Sequence, residues 1–187
     1  MPVPVQRGGK VGVMMPANTT LVNYGIQNEK SDFRVHVSST ASAIYLFSTE
    51  EGNKAINTGI YLLRSVTTGS IITAQGYAVP ISCIKNICYV KTPVDITKRQ
   101  KIQSTDSTKV KGDKAVNIVK EMLILHLILL PMTVDEITDK NIQIEGTDII
   151  VKRGDIKIQV KCDYKAGYPG TNNLFLQISE CNPYKIH

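Results

Sequence analysis

Between residues 11 and about 91, apolar and polar positions alternate in short runs punctuated by Gly, Asn and Ser, the period-two pattern of half-buried strands. FRVHV (33–37) is the clearest case, with Phe33, Val35 and Val37 on one face and Arg34 and His36 on the other. SAIYLFS (42–48), GIYLLRSV (59–66), SIITAQ (70–75), YAVPIS (77–82) and NICYV (86–90) predict further strands, and Pro80 is expected to make its run an edge strand or a broken one. Helical spacing is hard to find in this half. A polar stretch, KTPVDITKRQKIQSTDSTKVKGDK (91–114), follows and reads as a basic linker over 96–112. Beyond it, AVNIVKEMLILHLILL (115–130) has apolar residues at 115, 118, 119, 122, 123, 125 and 127, which predicts an amphipathic helix whose second half is enclosed. NIQIEG (141–146), a hairpin over 146–161, a Gly/Pro loop (165–173) and LFLQIS (174–179) come next. The pattern predicts an α+β protein with a β-rich region over 1–95, the linker, and an α/β core of helix and mixed sheet over 113–187.

Composition narrows the function classes. The 187 residues suffice to bury a core without disulfide staples. Lys and Arg total 22 against 16 Asp and Glu, a formal charge of +6 with pI near 9.1, which favours partners carrying phosphate. Lys109, Lys111 and Lys114, with Lys157 and Lys165 further on, are the candidate nucleic-acid contacts; a solvated linker explains the basic run equally well. Cys83, Cys88, Cys162 and Cys181 fit no zinc spacing, and MPVPVQRGGKVGVMMP interrupts its apolar residues before a signal-type run can form. Reduced thiols and a cytoplasmic protein are expected. The longest apolar run, MLILHLILL (122–130), is well short of the ~20 residues that cross a bilayer, so no membrane is expected.

The chemistry concentrates in GTDIIVKRGDIKIQVK (146–161). If Arg153 and Gly154 form the turn, residue 152 faces 155, and counting back along both arms sets Asp148 opposite Gln159, their Cβ atoms roughly 5 Å apart. Lys161 shares the face of Gln159. A carboxylate, an amide and an ammonium so grouped suit phosphodiester hydrolysis. Asp148, the Gln159 side-chain oxygen and the Val160 carbonyl can hold Mg²⁺ or Mn²⁺, and Lys161 can orient water and stabilise negative charge.

These residues carry a resemblance. Asp148 followed by Gln159-Val160-Lys161 resembles the PD-(D/E)xK nuclease superfamily in its Q-x-K variant, found among restriction-type and intron-homing members. KGDKAVNIVKEML resembles the helix that opens that core, and GTNNLFLQISECNP its closing strand, so the likeness covers roughly 109–183. It implies a restriction-endonuclease-like core, a divalent metal and DNA cleavage. Thr147 stands where the family has proline, and neutral Gln159 where most members have a second acid. Val116 occupies the usual place of a helix glutamate, leaving Glu121 as the preferred substitute, with Asp113 expected to cap the helix.

The expected function is a metal-dependent endodeoxyribonuclease, its β-rich part clamping the substrate. Cutting both strands calls for two sites related by a two-fold axis, hence a homodimer or higher assembly. The sequence leaves RNA open as a substrate. A non-catalytic nucleic-acid-binding protein on the same scaffold and a structural or assembly protein are the alternatives.

Overall fold

The alternating segments form strands, eleven among the described residues, together with three α-helices. The computed structural model describes residues 3–7, 10–16, 31–38, 42–68, 71–127, 134–136, 147–152, 154–163, 166 and 172–180. In chain order the strands are β1 (Val3–Arg7), β2 (Lys10–Pro16), β3 (Phe33–Ser38), β4 (Ala43–Ser48), β5 (Ile60–Thr68), β6 (Ile71–Pro80), β7 (Cys88–Lys91), β8 (Val134–Glu136), β9 (Ile149–Val151), β10 (Ile156–Cys162) and β11 (Asn173–Glu180). The helices are α1 (Thr49–Thr58), α2 (Val94–Arg99) and α3 (Thr108–Leu127). One sheet has the order β1-β2-β5-β6-β11 and the other β7-β4-β3-β10-β9-β8. The second is mixed, because β3 and β10 run parallel while its other neighbours are antiparallel. The class is α+β, as the pattern predicts.

The expected division of the chain does not hold. β3, from the β-rich region, pairs with β10, and β6 pairs with β11, so both sheets join residues before the basic stretch to residues after it. Strand edges left by one half are filled by the other, which satisfies backbone groups that neither half could pair alone. Nor is 96–112 a loop throughout. It contains most of α2 and the start of α3, and it buries Ile96 and Ile102. Residues 71–80, read as two strands, are one; Pro80 ends it, beyond Tyr77, the last residue β6 pairs with β5.

Both faces of the mixed sheet are covered. On one, Ala115, Ile118, Val119 and Met122 of α3 pack against Val35, Val37, Ile149, Val151, Ile158 and Val160. Each buried Val, Ile or Met among them contributes about 1.5–3 kcal/mol. On the other face, Tyr45 and Phe47 of β4 meet Ala55 and Ile56 of α1, Tyr77 and Val79 of β6, and Leu174 and Leu176 of β11. Helix α1 has no counterpart among the expected elements. It buries only Thr49, Gly52, Ala55 and Ile56, too narrow a stripe to read as periodic, yet Ser48 caps it by accepting the Glu51 N–H at 3.1 Å. A Cβ on Gly52 would lie 2.9 Å from Phe47 Cε2, so a glycine lets α1 approach the sheet.

Helix α3 begins earlier than the apolar pattern suggests. Ser107 Oγ accepts the Val110 N–H at 3.3 Å at its start, and Asp113, expected as the cap, is an exposed residue inside the helix. No helix of the described residues is long and apolar enough to cross a membrane. The expected strand over 141–146 lies outside the described residues.

Candidate active site

The hairpin turns at Gly154, with φ +105°, and Asp155, with φ +53°, and the Asp155 N–H donates to the Lys152 carbonyl at 3.4 Å. A left-handed backbone is what glycine tolerates best, and the short acidic side chain of Asp155 also accepts it. The ladder then pairs Ile156 with Val151, Lys157 with Ile150 and Ile158 with Ile149. One step further the ladder departs from the expected register: the Asp148 N–H donates to the Ile158 carbonyl at 2.9 Å, so Asp148 adjoins Ile158, which already pairs with Ile149, and not Gln159. Asp148 Oδ2 also accepts the Val160 N–H at 2.7 Å. In an extended residue the N–H and C=O point to the same side of the strand, so the Val160 carbonyl faces the edge that Asp148 occupies.

Alternation along β10 sends Ile158 and Val160 to α3 and leaves Gln159 and Lys161 on the opposite face, both half-buried. The parallel neighbour supplies two more polar groups there. Gln159 pairs with Arg34 and Lys161 with His36. The alternating strand pattern implied that Arg34 and His36 stand on an exposed face; they are 2% and 1% exposed. Strand β3 is central, and the Phe47 ring lies 5.5 Å from that of His36.

Burial pushes His36 below its ordinary pKa; Asp163, with Oδ2 3.5 Å from His36 Nδ1, opposes this, whereas Arg34 and Lys161 add to it. Burial lowers Arg34 to about 10, so it stays cationic at neutral pH. Asp163 is itself fixed, accepting the Phe175 N–H at 2.9 Å and donating its own N–H to the Val37 carbonyl at 3.0 Å. Gln159 and Lys161 therefore belong to a polar face that also holds Arg34, His36 and Asp163. Those three were absent from the sequence-derived set. FRVHV displays its polar residues plainly, but nothing local says that β10 lies beside them.

Glu121 does not join this face. It projects from α3, which covers the other side of the sheet, and its carboxylate accepts from Arg99 Nη2 at 2.5 Å and Gln100 Nε2 at 3.2 Å. The apolar stripe of α3 is committed to the sheet, so its flanking carboxylate serves the junction with α2. The candidate lysines are also dispersed. Lys111 donates to the Ser104 carbonyl at 2.8 Å, and Lys114 binds Asp106 Oδ2 at 2.8 Å and the Lys101 carbonyl at 2.7 Å, bracing the 100–107 segment. Lys109 is exposed on α3, Lys157 is half-buried beside Gln159, and Lys165 lies outside the described residues.

Among the described residues, no group of three or more His, Cys, Asp or Glu side chains is placed to hold a metal ion. The expected donor set is one carboxylate, one amide oxygen and one backbone carbonyl, of which Asp148 is held against the Val160 backbone. Such hard oxygens fit Mg²⁺ in the mode where water and substrate phosphate complete the octahedron, and do not fit a closed protein cage. No protein-family model, curated protein or solved structure matches the chain.

Proposed function

We propose that the protein is a metal-dependent endonuclease that hydrolyses DNA phosphodiester bonds on a restriction-endonuclease-like core, acting in the cytoplasm as a homodimer. The observation that supports this reading is the contact across the hairpin in which Asp148 Oδ2 accepts the Val160 N–H at 2.7 Å, with Gln159 and Lys161 flanking Val160 on β10. Asp148, Gln159 and the Val160 carbonyl would hold Mg²⁺ or Mn²⁺, which when bound polarises the phosphoryl oxygen and acidifies water. Lys161 contributes a mobile ammonium that binds a phosphoryl oxygen and stabilises the charge gained in the transition state. Arg34 and His36 underlie this row, one as a fixed cation and the other as a neutral ring, so the face stays favourable to an anionic substrate.

Nicking of supercoiled plasmid with Mg²⁺ or Mn²⁺ tests the reading. Asp148→Ala and Lys161→Ala are each expected to lower the rate by on the order of 100-fold or more, and equal cutting by all three proteins would overturn it. An RNA duplex in a parallel reaction decides between the nucleic acids. The commitment of Glu121 to Arg99 and Gln100 favours a second reading, a nucleic-acid-binding protein without turnover. It predicts binding that weakens steeply with salt and no cleavage with either metal.

A further inference from the structure

A second feature lies on the α3 side of the mixed sheet. There the end of β3, the end of β7, α2 and α3 enclose a cavity of about 580 Å³. Its mouth carries Lys91, Lys98 and Lys101, all exposed, and its wall reaches the core at Val37, Ile102 and Ile118. Among the described residues, no acidic side chain lines it. The three lysines have no ion-pair partner among the described residues, in contrast to Lys114, which Asp106 neutralises. Val94 also lines the mouth and is 66% exposed, an apolar side chain left in water beside three cations.

We propose that this cavity binds a nucleoside phosphate, either a free nucleotide or a nucleotide of a single strand. Three unneutralised ammonium groups match a phosphate dianion better than a single carboxylate. The apolar wall and Val94 offer a surface for the flat face of a base, and Ser42 and Gln100 supply polar groups beside it. The volume lies within the range of small-ligand pockets. The three lysines lie within eleven residues of the basic stretch, and the fold sets against them an apolar wall from remote parts of the chain, Val37 of β3 and Ile118 of α3. This binding needs neither a metal nor the hairpin residues, and it stands or falls apart from cleavage.

Calorimetry in EDTA with the full chain tests it, using deoxyadenosine 5′-monophosphate, deoxyadenosine, inorganic phosphate and a single-stranded oligonucleotide as probes. The monophosphate is expected to bind more tightly than either the nucleoside or phosphate alone. Tighter binding of the oligonucleotide marks a strand as the source, and tighter binding of the monophosphate marks a free nucleotide. Lys98→Ala with Lys101→Ala is expected to weaken binding on the order of tenfold, whereas the paired Lys→Arg change retains it. Val94→Asp, at an exposed position, is expected to weaken it comparably without moving the melting temperature. Absence of binding by every probe, or equal binding by wild type and these variants, overturns the proposal. Loss of nicking by Lys161→Ala with nucleotide binding intact separates the two sites.

Discussion

Asp148 has two roles that substitution can pull apart. Its Oδ2 accepts the part-buried Val160 N–H at 2.7 Å, a charge-assisted bond that pins the start of β9 to β10. Its carboxylate is also the anion proposed to hold the metal. Asp148→Asn keeps the volume and an acceptor oxygen but loses the charge, exchanging a bond worth about 1.5–3 kcal/mol for one worth about 0.5–1.5. The expected cost is about 1 kcal/mol. Asp148→Ala removes the acceptor as well and leaves the Val160 N–H without it, at about 2 kcal/mol. Cleavage should drop on the order of 100-fold or more in both variants, because each removes the anion. Urea denaturation followed by circular dichroism gives the stabilities, and plasmid nicking gives the rates. Stability should thus grade from wild type through Asn to Ala, while activity falls in one step. Nicking by the Asn variant at the wild-type rate would refute the catalytic part, and an Ala variant as stable as wild type would refute the pinning bond.

His36 provides a pH signature. Its folded pKa is lowered from the ordinary 6.5, so between the two values the unfolded chain binds a proton that the folded chain refuses. Stability present above about pH 6.5 should therefore fall as pH drops toward the folded value, by up to about 1.4 kcal/mol per pH unit. Melts of wild type and His36→Gln at pH 7.5, 6.5 and 5.5 check this, and parallel curves would contradict it. Gly76→Ala would place a Cβ 2.4 Å from the Leu176 carbonyl oxygen and 2.9 Å from Gln177 Cα, both backbone atoms of β11. A loss of about 3 kcal/mol is expected from the forced separation of the strands, and urea melts showing less than about 1 kcal/mol would count against it. Glu121→Gln should leave nicking unchanged, since its carboxylate serves α2; a large drop in rate would return Glu121 to the site.

The local part of the candidate site was readable because a hairpin is set by short-range rules. The left-handed turn at Gly154 and the alternation of Ile156, Ile158 and Val160 fix which residues meet from Ile149 to Val151, but at Asp148 the count slips, its N–H reaching the Ile158 carbonyl. What escaped notice depends on partners remote in the chain. Arg34 and His36 look like the wet face of FRVHV until β10 is laid beside β3, and no local residue announces a parallel neighbour. Helix α1 was hidden for another reason: a ten-residue element with four buried positions is held by its cap and by contact with Phe47, which hydropathy does not register. The preference for Glu121 rested on its place beside the apolar stripe, a position that could equally turn toward α2.

The pairing of β3 with β10 joins residues 125 positions apart, with the Lys157 N–H also held by Asp32 Oδ2 at 2.8 Å. On the ribosome, at about 5–20 residues per second, the earlier strand waits on the order of ten seconds for its mate. Throughout that interval the backbone edge of β3 lacks its partner strand, an unpaired edge of the kind that invites wrong pairing while the chain is incomplete. Biogenesis of this molecule is thus paced by the arrival of its last third, and a chain severed near residue 105 should yield two pieces that become ordered only in each other's company.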